Sequence, residues 1–421
     1  MEVVRRSSIG RSANLTCITT EQFSTSCVSI NFLLPLKDAA CGALALLPRV
    51  LRQGTEEHPA RREMAEALQT LYGADIEPAV RKKGEVLSVG MICRGIDRRY
   101  AAGEDVAARI FSFAGELLYR PYLPEGTFCP EYVAMEQENL CRAIKARMNE
   151  KRRYAMDRML EEMCRDEAYG KSELGSLDEV RNITPDSLRQ TYEALLQQAR
   201  AEVFYCGSLP EGAVKDLCCG ALPFAGTAPS ALGTEVLRRA GAVREFTEHM
   251  DVRQGKLNLG FRTGITGRDP LYPGLLLLNA MFGGSVSSRL FLHVREKLSL
   301  CYYASSFVDK TKGILAVQSG IDPAKAAVTK EEILRQLSAL RAGQFTKDEV
   351  AAAKKSLITG FRQVGDSPLA MESYYLTQAA GGFSGKPEEL AVRVEHTPEE
   401  DIIAAANHLS LDTVYLLKGG E

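Results

Sequence analysis

One order of local patterns runs through this chain twice, and that repetition limits the folds open to it. The strand pattern TSCVSINFLLP (25–35) is followed by a helix pattern at about 39–52 and a break at Gly54-Thr55. A second helix passes through Met64, Leu68 and Leu71, and two strands then meet at Lys82-Lys83-Gly84. Helical spacing fills about 104–118 and 130–166. Thr184-Pro185 opens a further helix, a hydroxyl N-cap with Pro at the first helical position, which leads into the strand AEVFYCGS. The order restarts at KLNLGFRTG (256–264), a strand, and continues with helix patterns in YPGLLLLNAMFGG and SRLFLHVREKL. YYASSF and GILAVQSGI are strands joined near Lys312-Gly313. Helices follow at about 323–342, from Thr346 and from Thr397-Pro398, before the closing strand DTVYLLKG. Thr346 with Glu349 and Thr397 with Glu400 each have capping-box spacing. The interval from Thr184 to Val203 resembles that from Thr397 to Val414, so the period is about 200 residues, a duplication and not a solenoid. Strands and helices mix without βαβ alternation, which predicts an α+β class with helices packed on a sheet in each half.

A length of 421 residues exceeds one ordinary core and suits two domains. The boundaries expected are 1–222 and 246–421, with 223–245 as linker, since that stretch is richer in Ala, Gly and Pro and lacks periodicity. A net charge of -2 argues against nucleic acid as the main partner. The longest apolar runs, CGALALLPRVL and YPGLLLLNAMF, are too short to span a membrane. The first residues carry no apolar signal core, so a cytoplasmic location is expected. Eleven cysteines without any C-x-x-C fit reduced, mostly buried thiols.

Residues 282–303, FGGSVSSRLFLHVREKLSLCYY, carry the strongest local signal. Gly283 and Gly284 form a tight loop, and the hydroxyls of Ser285 and its neighbours are placed to cap the next helix. Leu290, Phe291, Val294 and Leu298 predict one apolar helix face, with Arg295 beside it and Tyr302 seven residues further on. A guanidinium and a phenol there suit the backbone carbonyls of an extended peptide. The string GGSVSSRLF-x-x-VREK-x-x-L-x-Y resembles the C-terminal-domain signature of the pitrilysin/insulinase (M16) metallopeptidases. That resemblance implies two tandem, duplicated M16-type domains over nearly the whole chain. It also implies a substrate grip by Arg295 and Tyr302 beside the loop Gly283, Gly284 and Ser285.

The same family holds zinc in its N-terminal domain through His-x-x-Glu-His and a later Glu. Two imidazoles one helical turn apart and a carboxylate bind the ion, and the motif Glu deprotonates its water. Aligned on the following Gly-Thr and Pro, LALLPRVLRQGTEEHP sets Ala45 and Arg49 at the His positions and Pro48 at the general base. The later Glu falls on Ala143, or on Arg142 one residue away. No metal ligand or base is left. Of the five histidines, His58 reads as solvated in an inter-helix turn, and His293-Val-Arg-Glu296 ends on Lys297 where a second His would stand. Gly170-Lys171-Ser172 lacks the rest of a phosphate loop, and no nucleophile elbow occurs. The basic run 142–153 is read as a solvated helix face.

The resemblance therefore implies a non-catalytic, peptide-binding subunit without a cofactor of its own, zinc being expected only in a partner M16 chain. The assembly would be a heterodimer with that chain or a homodimer. The strings ALLPRVL, LYGAD and RKKGEVLSV are similar to the bacterial YfmF-type branch, associated with 5-aminopentanol modification of elongation factor P. Two alternatives stand beside this reading: a scaffold that has kept the fold without peptide binding, and a hydrolase with an unrecognised site.

Overall fold

The strand patterns become two sheets in a computed structural model that describes residues 3–224 and 230–420. Residues 225–229, within the expected linker, lie outside that description. The first sheet contains β1 (Val3–Ser8), β2 (Ala13–Thr19), β3 (Thr25–Pro35), β4 (Asp75–Lys83), β5 (Val86–Ile96) and β6 (Arg200–Gly207), in the order β1-β2-β6-β3-β5-β4. The second contains β7 (Arg244–His249), β8 (Gly255–Arg262), β9 (Cys301–Asp309), β10 (Ile314–Ile321) and β11 (Ser410–Lys418), in the order β7-β11-β8-β10-β9. β2 pairs with β6, and β7 with β11, in parallel; the other pairings are antiparallel. Without β1, the two sheets match strand for strand in order and direction. The duplication expected from the sequence is thus present in the topology, and the class is α+β.

Each sheet buries apolar helices. Cys41–Leu51 is buried at every position but Arg49, as expected for a helix apolar on all sides. Thr184 and Thr346 cap their helices as expected, their hydroxyls accepting from Ser187 N at 3.1 Å and Glu349 N at 3.2 Å. The box expected at Thr397 does not form. Its hydroxyl donates instead to the Arg393 carbonyl of the preceding helix Pro387–Glu395, and Pro398 becomes the N-cap of Glu399–His408. The sequence reading also missed β1, β2, β7 and the helices Glu211–Ala221, Pro368–Gly381 and Pro387–Glu395.

The contacts divide the chain into two compact units, and each unit takes in a segment from the other half of the sequence. The first comprises the chain up to Lys145 with Ser172–Gly233 and Pro368–Ala380; the second comprises Ala146–Lys171, Thr234–Ser367 and the rest from Gly381. Buried charges tie each transferred segment to its sheet. In the first unit Glu372, with a side chain 1% exposed, accepts two bonds from Arg81 of β4 at 2.6 and 2.7 Å, plus Ser29 Oγ at 2.8 Å. Burial alone would raise the Glu372 carboxyl, but Arg81, with Ser29 and Asn31, holds it below its ordinary range. In the second unit Arg262 of β8 reaches Glu167 at 2.6 Å, Asp412 at 2.9 Å and the Met163 carbonyl at 2.7 Å. Met156, Met159 and Met163 of the helix Lys151–Met163 pack there on Ile314, Ala316, Tyr415 and Leu417.

Candidate functional site

The residues expected to grip peptide all lie in the second unit. The helix Tyr272–Asn279 runs into a wider, π-type turn, Ala280–Gly284, and a second π-type helix spans Leu290–Lys297. Gly283 is buried, and a Cβ there would lie 2.6 Å from Ser306 Oγ and 2.7 Å from Ser306 N. Glycine at 283 therefore lets the turn lie flat on β9; its φ is not positive, so the requirement is space and not backbone conformation. Gly284 is exposed, and a Cβ there would meet Asn279 Nδ2 at 2.6 Å. Gly283→Ala is expected to cost about 1–3 kcal/mol through overpacking, measured by chemical denaturation. An unchanged midpoint would mean that the turn lifts off β9 freely.

Two details differ from expectation. The Ser285 hydroxyl finishes the preceding helix, donating to the Ala280 carbonyl at 3.0 Å, while the helix Leu290–Lys297 has Arg289 at its N-cap without a side-chain bond. Leu298, expected on the apolar face, is 43% exposed. The wider winding accounts for it: Leu298 N bonds the His293 carbonyl, five residues back, so later residues rotate off the face set by Leu290 and Val294. A turn through Ser299, whose φ of 48° is unusual for a non-glycine residue, leads into β9.

Arg295 is partly exposed, with its guanidinium carbon 4.6 Å from the Phe291 ring centre and Nε 3.5 Å from Glu296 Oε1. Tyr302 is 65% exposed on β9, one of the two edge strands of its sheet. The helix bearing Arg295 packs on β9, so the two residues sit on adjacent elements, Arg295 partly exposed and Tyr302 largely so.

The positions aligned with the zinc ligands belong to the first unit, and their residues do not fit the metal. Ala45 is 1% exposed and Pro48 is buried within the helix Cys41–Leu51. Neither side chain has a donor atom for a metal or a proton. Arg49, always cationic, points its Nη1 to 4.0 Å from Glu136 Oε2, and Glu136 also accepts Gln53 Nε2 at 2.9 Å. A fixed positive charge thus stands where a second imidazole would be. Ala143 adds a methyl group from the helix Pro130–Arg147.

His58 is not the solvated turn residue expected from the sequence. It is half-buried, its Nδ1 is 2.9 Å from Glu116 Oε1, and its ring lies 5.8 Å from that of Phe113. Among the described residues, Glu57, His58 and Glu116 form a group whose ligand atoms all lie within 4.8 Å of one another. The available signal was Glu116 itself, a carboxylate among apolar residues in VAARIFSFAGELLY.

Residues 182–357 match the family described as "Peptidase M16 inactive domain". The "Probable inactive metalloprotease YmfF" of Bacillus subtilis is 31% identical over 408 residues, covering 96% of this chain and 95% of that protein. The chain belongs to the M16 peptidase family. The branch expected from the sequence is present too, under the spelling YmfF. A conserved protein from Enterococcus faecalis V583, solved by crystallography, superposes with a TM-score of 0.90 at 26% identity and 99% coverage of both chains. A peptidase M16 inactive domain from Pseudomonas fluorescens shares the fold, with a TM-score of 0.80 at 15% identity, over 99% of this chain and 98% of the other. Within the M16 family this chain is a non-catalytic member, in keeping with the inactive-domain family it matches and the relative named probable inactive. Among the described residues, no helix is long and apolar enough to cross a membrane.

Proposed function

We propose that this chain is the substrate-holding subunit of a two-chain M16 zinc peptidase, in which a partner chain supplies the metal and the general base. The observation carrying this reading is the contrast between the two sets of positions. Arg295 and Tyr302 stay accessible to solvent on the elements next to the turn of Gly283, Gly284 and Ser285, while the positions aligned with the zinc motif hold methyls, a proline and a paired arginine. An arginine and a tyrosine near an edge strand can donate to the carbonyls of an extended peptide, and such a strand also offers its own backbone groups for pairing. The catalytic zinc is then supplied by the partner's motif and not by this chain. The partner is a zinc-bearing M16 subunit in a heterodimer, a homodimer of this chain being the alternative assembly. The place is the cytoplasm, and the process is peptide cleavage in a closed chamber, linked to elongation factor P modification.

The test is peptidase activity of this chain alone and mixed with a zinc-bearing M16 chain from the same genome. Activity is expected only in the mixture. Arg295→Ala is expected to lower kcat/KM of the mixture about 10–100-fold, the value of a charge-assisted bond, and Tyr302→Phe about 2–10-fold. Assembly and zinc content should not change. Full activity in both variants would leave the chain as a scaffold, and zinc-dependent cleavage by the isolated chain would make it a hydrolase in its own right.

A further inference from the structure

The helices Arg61–Thr70 and Val106–Tyr119 border a pocket of about 530 Å³. Its ionisable lining consists of Glu57, His58, Glu63, Glu66, Glu116 and a single cation, Arg109, which Glu104 already engages at 2.9 Å. Outside the lining, Arg120 pairs with Glu57 and Arg62 with Glu66 at 2.7 Å, so among the described residues Glu63 and Glu116 are the lining carboxylates without an arginine partner.

We propose that Glu57, His58 and Glu116 form a site for a divalent transition-metal ion of the Zn²⁺ type, distinct from the positions of the family's zinc motif. Zn²⁺ takes imidazole nitrogen and carboxylate oxygen at about 2.0–2.2 Å, so three donor atoms already within 4.8 Å of one another need only a small contraction. An imidazole in the set favours zinc and its neighbours over Mg²⁺ or Ca²⁺. The protein ligands come from the turn at Glu57 and His58 and from Glu116 of the helix Val106–Tyr119, and the pocket beside them leaves room for water in the remaining position.

Supporting groups hold the ligands in place, as metal sites require. Thr55 is fully buried and its hydroxyl donates to Glu116. The turn from 55 to 58 is closed on itself: Thr55 N bonds the His58 carbonyl at 3.0 Å, and His58 N bonds Thr55 Oγ1 at 3.0 Å. Arg120 pairs with Glu57, and its carbonyl accepts Glu56 N at 3.0 Å. Phe113 forms an apolar wall against the imidazole. His58 Nδ1 and Glu116 Oε1 lie 2.9 Å apart, and a bound ion would take a lone pair from each, any proton held between them leaving to solvent. This inference is independent of the subunit reading above, because it concerns only metal uptake by the isolated chain.

The test is titration of the chelator-stripped full chain with ZnCl₂ by calorimetry, with bound metal counted after dialysis. One zinc per chain is expected. His58→Ala should abolish uptake, and Glu57→Gln should weaken it beyond the roughly 10–100-fold typical of losing an outer supporting group. Both residues reach solvent, so these variants should fold, and far-UV circular dichroism checks that they do. Thiols are the competing ligands, since Cys219 is exposed and Cys129 and Cys141 are partly so. Co²⁺ distinguishes them: the proposed site gives visible bands without a near-ultraviolet thiolate band. No uptake, uptake unchanged in both variants, or a thiolate band would overturn the proposal.

Discussion

Replacing Arg81 by alanine is expected to destabilise the protein by about 3–5 kcal/mol at neutral pH, because it leaves a charged carboxylate buried without its cation. Glu372 would keep only Ser29 Oγ at 2.8 Å and Asn31 Nδ2 at 3.2 Å, with a side chain 1% exposed. The pH dependence identifies the cause. In the unaltered protein the Glu372 carboxyl is held low, so its contribution is complete above the ordinary glutamate value near ~4.3 and is lost as the pH falls through the folded value. Without Arg81, burial is opposed only by the Ser29 and Asn31 bonds and pushes the carboxyl up, so the variant takes up a proton readily and its deficit shrinks in acid. Urea denaturation across pH measures this. A deficit that stays constant with pH would assign the cost to lost packing. Glu372→Gln, a neutral group of the same shape, should cost less than Arg81→Ala.

Arg262→Ala is the second large effect, expected at about 3 kcal/mol, the lower end of the range for breaking a buried pair. The reason it falls at that end is local. Glu167 keeps Lys312 at 2.6 Å and Asp412 keeps Arg244 at 2.7 Å, so neither carboxylate is left wholly without a cation. What disappears is a single planar fork that serves Asp412, Glu167 and the Met163 carbonyl together. Lysine cannot reproduce that geometry, so Arg262→Lys should recover only part of the loss. Burial would raise the Glu167 and Asp412 carboxyls, but Arg262 and its fellow cations hold both low. Their contribution is therefore also lost as the pH falls below the ordinary carboxylate range, and the acid limb of the stability curve should be shallower in the variant. Full rescue by lysine would show that charge alone matters.

Much of the fold was legible because it is local. Strand alternation, Thr-Pro starts and Gly breaks gave the repeated order, and the paired sheets follow it. The zinc-motif alignment at 45–49 is local in the same way, whereas the position of the later Glu, Ala143, lies 94 residues beyond Arg49 and rests on the resemblance alone. Other features depend on partners far along the chain. Arg81 and Glu372 are 291 residues apart, and no periodicity in PLAMESYYLTQAAG announces that its one carboxylate faces an arginine of the first sheet. His58 and Glu116 are 58 apart, so the turn read as polar and solvated. The π-type winding of Leu290–Lys297 escaped for a different reason. Its sequence fits an ordinary helix equally well, and only packing on β9 and the turn at Ser299 select the wider form.

The segment Pro368–Ala380 has a consequence for the order in which the chain is made. The first sheet is complete once β6 has emerged, yet the helix that neutralises Arg81 is translated only after the whole stretch from Thr234 to Ser367. At ~5–20 residues per second, that is a wait of roughly 7–30 s on the ribosome. During it, the nascent first sheet carries Arg81, Asn31 and Ser29 without their carboxylate. A release or cut before residue 368 would yield a fragment with the same defect permanently, so this protein's birth favours finishing the chain over folding it half by half.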